Sequence, residues 1–226
     1  MTVLAMHQPN YLPWLGYFDK LRRSDVFVLL DSVQYPRGAS VANRNRIRSG
    51  AGELLLTVPV RVPKGREGKA PYTEVELADE RWRAKHLRSI EQAYRRAPCF
   101  EAFFPEFAAI VEGAQTFCGL TVALVRWLAR SLGIETETPL LSELGLPEAQ
   151  KNDLIVALCR RFGADVYLSG RGAASYNDPA DLAAAGVELR YQEFEHPVYP
   201  QQGEGFVSHL SALDYLLNCG PLAASG

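Results

Sequence analysis

Four apolar residues in a row, at positions 3–6, stop against two closely spaced prolines, Pro9 and Pro13, and this pairing does most to limit what the chain can become. An unbroken apolar segment this short reads as a strand covered on both faces, the condition of a strand inside a parallel sheet. Neither proline can supply a ladder N–H, and a proline inside a helix removes a hydrogen bond, so the strand must end near residue 7. The residues that follow, His7, Gln8, Asn10 and Tyr11, therefore lie at a strand's carboxyl end. Ligands of open α/β sheets gather at that end, because the loops leaving parallel strands diverge there and helix N-termini direct free N–H groups into the gap.

The rest of the pattern alternates in the same sense. Residues 15–23 place Leu15, Phe18 and Leu21 at helical spacing, and residues 26–30 form a second apolar run ending at Asp31. A right-handed crossover makes the two strands parallel and brings His7 and Asp31 to one edge. Residues 137–141 read as a third strand and residues 152–162 as a helix closed by Gly163 in the position of a C′ glycine. Residues 165–168 read as a fourth strand, followed by a short helix near Asp181 and a last strand over residues 187–191. The expected fold class is α/β, a Rossmann-like, doubly wound, mainly parallel sheet with strand order 3-2-1-4-5.

Between the second and third strands, residues 32–50 form a polar connection with Arg37, Arg44, Arg46 and Arg48 beside Asn43 and Asn45. It exceeds the roughly 12–15 residues usual for loops in compact domains, and long loops are often functional. Strand-like segments at 54–60 and 73–77, joined by basic residues 61–69, are expected to pair as an antiparallel hairpin. Helical spacing then runs from residue 79, with Trp82, Ile90 and Tyr94 recurring, through helices over 103–113 and 121–132. The expectation is one domain over residues 1–226, with a helical insertion at about 79–133 and a basic hairpin and loop region over the sheet edge.

Composition narrows the functional classes. A length of 226 residues is enough to bury a substantial core. A formal net charge of -2 with 47% hydrophobic residues implies no bulk attraction to nucleic acid or anionic membrane, so any preference for anions must be local. No window approaches the roughly 20 apolar residues of a membrane span, and the chain enters its first strand without a basic leader, so a cytoplasmic location is expected. Cys99, Cys118, Cys159 and Cys219 form no C-x-x-C pair, and His7, His86, His196 and His209 show no metal-binding spacing; no metal site is expected.

His7 is the leading candidate for a general acid or base, since its ordinary pKa lies near neutrality, and Asp31 beside it would fix the tautomer and stabilise the imidazolium. The plainer alternative is a histidine hydrogen-bonded into the structure. Arg44 and Arg46 offer forked donors for a carboxylate or phosphate, with the Asn43 and Asn45 amides to select geometry, although loop arginines are usually only solvated. Ser169, Gly170, Arg171 and Gly172 after the fourth strand either cradle an anion on backbone N–H groups or make a tight turn with no ligand. Tyr176, Tyr199, Gln201 and Asp214 could complete a pocket wall, with Asp214 equally able to brace the C-terminal helix. Neither Cys159 nor Cys219 reads as an activated nucleophile.

The segment His7-Gln-Pro-Asn-Tyr-Leu-Pro-Trp-Leu-Gly-Tyr-Phe-Asp-Lys20 resembles the opening signature of the WbqC-like family. Asn43-Arg-Asn-Arg-Ile47, Lys85-His86, Tyr94, Tyr167-Leu-Ser-Gly170 with Tyr176, and Leu210-Ser-Ala-Leu-Asp214 followed by Asn218-Cys-Gly220 resemble later blocks of that family in the same order. The resemblance covers nearly the whole chain. It implies a bacterial protein associated with gene clusters for surface polysaccharide or specialised metabolites, with a proposed role as a glycine (aminoacyl) transferase in O-antigen assembly. It also brings Lys85 and His86 forward as catalytic candidates. The activity expected on this basis joins an aminoacyl unit, glycyl by the resemblance, or an acyl unit to an amine or hydroxyl on a sugar or small metabolite. His7 would be the base, Asp31 would orient it, Arg44 and Arg46 would hold an anionic part of donor or acceptor, and Gln8, Asn43 and Asn45 would position the substrate.

The donor stays open between an aminoacyl adenylate, a thioester on a carrier protein and a charged tRNA. The residues require no cofactor, and ATP is one open choice. Trp14-Leu-Gly-Tyr17 stands where adenylate-forming nucleotidyltransferases carry H-x-G-H, with Gly16 in the glycine's place and both histidines replaced. That favours a shared architecture and counts against a shared reaction. Nucleotide-dependent acyl activation is therefore the second enzymatic reading, and a non-enzymatic module binding a sugar nucleotide or a partner is the third.

Overall fold

The apolar run that opens the chain becomes a strand whose Leu4 and Ala5 are buried and whose Val3 and Met6 are half-buried. The structure is a computed structural model describing residues 1–36, 41–50, 52–63, 70–146, 149, 151–174 and 177–223; the expectations for Arg37, residues 64–69 and Tyr176 lie outside the described residues. In chain order the elements are β1 (Val3–His7), α1 (Leu15–Arg22), β2 (Val26–Leu29), β3 (Arg44–Ser49), β4 (Gly52–Thr57), β5 (Val60–Arg61), β6 (Glu76–Leu77), α2 (Arg81–Tyr94), α3 (Phe100–Gly113), α4 (Phe117–Ser131), α5 (Lys151–Phe162), β7 (Val166–Ser169), α6 (Pro179–Ala184), β8 (Glu188–Tyr191) and α7 (Ala212–Cys219). They group into two units. The first comprises Met1–Gln8, Asp19–Leu30 and Glu135–Glu195; the second comprises Pro9–Phe18, Asp31–Ile134 and His196–Gly226.

The first unit is an α/β layer with a four-stranded, all-parallel sheet in the order β2-β1-β7-β8, a Rossmann-like arrangement. Every residue of β2 and β7 is buried, as central parallel strands demand. The outer strand β8 alternates instead, and its exposed Glu188 and Arg190 pair with each other, which puts charge on the sheet's open side. The expected third strand takes an irregular form. Residues 137–140 run parallel to β2 through isolated bridges, with the Phe27 and Leu29 N–H groups donating to the Glu137 and Pro139 carbonyls at 2.9 Å. Pro139 has no N–H to return, so no regular ladder forms. Counting this segment, the order is the expected 3-2-1-4-5.

Helix α5 buries Leu154, Ile155, Leu158 and Cys159, one stripe at helical spacing. Leu4, Phe27, Leu158 and Leu182 are fully buried, each contributing about 1.5–3 kcal/mol. Gly163, at φ 61°, ends α5 in the left-handed conformation, and the Ala164 N–H donates to the Cys159 carbonyl at 2.8 Å. The chain can then turn directly into β7.

In the second unit, β3 and β4 form an antiparallel hairpin from Arg44↔Thr57 to Ser49↔Gly52, and β5 pairs antiparallel with β6 through Val60↔Leu77. The pairing expected between the 54–60 and 73–77 segments is present in this short form. Residues 44–49, expected inside a loop, are a strand. Its side chains hide the fact: Arg48 is 1% exposed, so a guanidinium occupies a position where an apolar residue would have betrayed a strand. Arg48 donates from Nε to the Gln202 carbonyl at 2.9 Å and from Nη2 to the carbonyls of Glu204 and Gly205. Helices α2, α3, α4 and α7 supply the core, with Phe107 and Trp127 rings 5.7 Å apart and Leu213, Leu216 and Leu217 fully buried. Thr116 and Ser211 cap α4 and α7 by accepting from the Gly119 and Leu213 N–H groups.

Candidate functional site

The strands of the first unit deliver polar side chains to their carboxyl ends, where a parallel sheet binds ligands. β1 and β2 run parallel with His7 opposite Leu29, as the crossover argument expects, and the Leu30 N–H donates to the His7 carbonyl at 2.9 Å. The His7 ring bonds the Gln8 carbonyl through Nδ1 at 3.0 Å. A carbonyl only accepts, so Nδ1 carries the hydrogen and Nε2 carries the lone pair. Burial, and then the charge of Lys20, hold the His7 pKa well below the usual histidine range against that hydrogen bond, and the ring is neutral at physiological pH. Ser169, at the end of β7, is buried, and its Oγ accepts from Asn177 Nδ2 at 2.9 Å. Gly170 opens the short 171–173 turn with φ −73°, and a Cβ there would meet open space. Its glycine answers neither a left-handed turn nor a close contact.

Lys20, which the sequence offered only as the last residue of a motif, is the residue this edge adds. It is 5% exposed, donates from Nζ to the Met6 carbonyl at 3.0 Å, and stands 5.5 Å from the centre of the Phe27 ring. Among the described residues no carboxylate lies within ion-pair distance of it. Burial therefore lowers its pKa from 10.5 to about 8. Neighbouring Asp19, also buried, is engaged elsewhere, accepting from Arg23 Nε at 2.9 Å and from Gln192 Nε2 at 2.7 Å. Nothing in the sequence marks it, because a lysine in the last turn of α1 is already explained by the helix dipole.

The other expected site residues belong to the second unit. Tyr11 and His86 come together, the hydroxyl of one and Nδ1 of the other 2.9 Å apart, with Trp82 edge-on to both rings. Burial, followed by the charge of Lys85, lowers His86 to about 4, while a backbone bond at Thr57 opposes the shift. Lys85 itself points from the exposed side of α2. The Asn43 and Asn45 amides donate to the Val58 and Leu12 carbonyls, which makes them ties between loop and hairpin. Arg46 forms a two-point contact with Glu53 across the hairpin. Asp31 is buried and, after burial itself, adds to the rise of the Cys118 thiol to about 11. Asn10 stands apart: its Oδ1 is buried and meets no donor, the kind of orphan that a ligand or water satisfies.

Asp214 braces α7. It is fully buried and accepts from Tyr94 at 2.6 Å, Tyr199 at 2.8 Å and Gln201 at 2.9 Å. The Trp14 indole lies back over Gly16, where a Cβ would come within 2.3 Å of the ring, and stacks on His209 at 5.2 Å. Tyr17 is buried. The positions of the H-x-G-H pattern are thus an aromatic cover and a core residue. Among the described residues no group of three His, Cys, Asp or Glu side chains could hold a metal ion, and no helix is long and apolar enough to cross a membrane.

Comparison with known proteins agrees with the motif order. The profile of the WbqC-like protein family matches residues 8–225. The chain is also 32% identical over 224 residues to a Mycobacterium tuberculosis (strain ATCC 25618 / H37Rv) protein described as uncharacterized, Rv1507c, covering 97% of this chain and 95% of that one. No solved structure matches.

Proposed function

This chain belongs to the WbqC-like protein family, and we propose that it is a transferase joining an aminoacyl or acyl unit to an amine or hydroxyl on a sugar or small metabolite. The observation that carries the reading is the buried, unpaired Lys20 beside a neutral His7 at the carboxyl edge of the parallel sheet. Acyl transfer to an amine needs a base whose conjugate acid titrates near the working pH, because the acceptor must lose a proton as it attacks. Lys20, at about 8, fits that task better than His7, whose depressed pKa makes it a weak proton acceptor. The acceptor nitrogen or oxygen gives its proton to neutral Lys20, its lone pair forms the bond to the acyl carbon, and the bond to the leaving group breaks. The leaving group then recovers the proton from Lys20. His7 acts as a neutral hydrogen-bonding group that orients the acceptor, and Ser169 with Asn177 forms a polar wall at the end of β7.

The test begins with thermal-shift and calorimetric screening against ATP, glycine, glycyl thioesters and amino-sugar nucleotides, since a ligand that binds only the native state raises its stability. Pairs that bind are then assayed for acylated product by mass spectrometry in wild type, His7→Ala and Lys20→Met. Turnover that depends on Lys20 and rises through about pH 8 supports the reading. Turnover that survives Lys20→Met with an unchanged pH profile overturns it. Pyrophosphate release from ATP with an amino acid would assign the reaction to acyl activation instead.

A further inference from the structure

Three arginines of the second unit share one cleft. Arg48, Arg95 and Arg96, with Gln92, Gly50 and Gly203, line a space of about 510 Å³, within the roughly 300–1,000 Å³ of small-molecule sites. Arg95 and Arg96 follow directly on α2, both exposed, and among the described residues no carboxylate pairs with either. Arg48 is the more telling member. It is 1% exposed and spends Nε and Nη2 on three main-chain carbonyls, while Nη1 has no acceptor among the described residues. A buried guanidinium without a carboxylate partner is expensive to maintain unless an anion meets it. Asp214 feels its charge but is already engaged by Tyr94, Tyr199 and Gln201. Among the described residues, Glu204 is the only acidic one in the lining, against three cationic ones.

The wall of the cleft is built to hold shape. Gly203 has φ +86°, and a Cβ on it would come within 2.6 Å of the Gly50 carbonyl oxygen. Only glycine allows the 202–205 loop to approach the β3–β4 turn this closely, and that approach is what lets Arg48 reach the loop's carbonyls.

We propose that this cleft binds a small phosphate-bearing ligand of nucleoside-diphosphate size. The two open guanidinium forks of Arg95 and Arg96, together with the remaining Nη1 of Arg48 and offset by one carboxylate, suit a group carrying more than one negative charge, and an open planar fork matches phosphate oxygens two at a time. Among the described residues the lining holds no lysine, which would serve as an unspecific point charge. None of these residues belongs to the edge that carries Lys20 and His7, so the two assignments stand or fall separately.

The experiment is calorimetric titration of the full chain with ADP and with inorganic pyrophosphate, at low and high salt. The wild type binds, more weakly as salt rises. The double variant Arg95→Gln/Arg96→Gln, two exposed changes outside the core, weakens binding roughly tenfold or more. Arg130→Gln, an exposed arginine paired with Glu106, leaves it unchanged. So does His7→Ala, which marks the cleft as separate from the sheet edge. No heat and no thermal shift with either probe, or equal affinity in the double variant and the wild type, overturns the proposal.

Discussion

Replacing Lys20 with Met should make the protein more stable and catalytically inert at the same time. The side chain is 5% exposed, and burial lowers its pKa from 10.5 to about 8. A folded value below the unfolded one means that the stability linked to this group is present above 10.5 and is lost as pH falls through about 8. At pH 7 the folded protein therefore carries the whole cost of the buried ammonium, about 3 kcal/mol at roughly 1.4 kcal/mol per pH unit. Met keeps the length and apolar stem of the side chain and removes the charge. It also deprives the Met6 carbonyl of the Nζ donor, a loss of about 1–2 kcal/mol. The balance is a gain of about 1–2 kcal/mol at pH 7, shrinking as pH rises and reversing near pH 10, where wild-type Lys20 is mostly neutral and keeps its hydrogen bond. Urea denaturation of both proteins across that range reads the difference directly, because every other titrating group cancels. A variant that is less stable at pH 7, by an amount independent of pH, would refute the argument that Lys20 is a strained, uncompensated charge.

His86 makes the opposite test in acid. Its folded value of about 4 lies below the ordinary 6.5, so its contribution is present above 6.5 and lost as pH falls through about 4. His86→Gln should cost about 1–2 kcal/mol at pH 7 through the lost Tyr11 bond, with the gap to wild type closing toward pH 4 in denaturation curves. Gly203→Ala meets both a left-handed φ and a backbone oxygen at 2.6 Å, so its denaturation midpoint should drop by the equivalent of about 1–3 kcal/mol; an unchanged midpoint would mean that the loop moves aside freely. Asp214→Asn leaves a single side-chain oxygen where two carboxylate oxygens accept three donors, and should cost about 1–3 kcal/mol by the same measurement.

Much of the first unit was legible because burial and sequence agree there. Residues 3–6 and 26–29 are apolar because both faces are covered, and the prolines and Gly163 mark the ends of elements. His7 was legible as a strand-end residue for the same reason. Lys20 was not, since a lysine in the last turn of α1 has a sufficient explanation in the helix dipole, and only the packing around Phe27 and Met6 shows it turned inward. The β3 strand escaped for a related reason: alternation announces a strand only when its inward residues are apolar, and here one of its two buried residues, beside Ile47, is Arg48, made acceptable by carbonyls from residues 154 or more positions away. The Asn43 and Asn45 amides donate to main-chain carbonyls of the hairpin and the loop, a tie that composition does not encode.

The central place of β1 has a consequence for how the chain is made. Its first neighbour, β2, follows within 30 residues, but β7, which covers its other edge, begins at Val166. At synthesis rates of about 5–20 residues per second, β1 waits roughly 7–30 seconds with one row of backbone groups unpaired. A short apolar strand in that state is a template for pairing with another chain. Partially made protein should thus be far more prone to association than the finished one, and a stall between Leu30 and Asp165 should be the most damaging place for translation to pause.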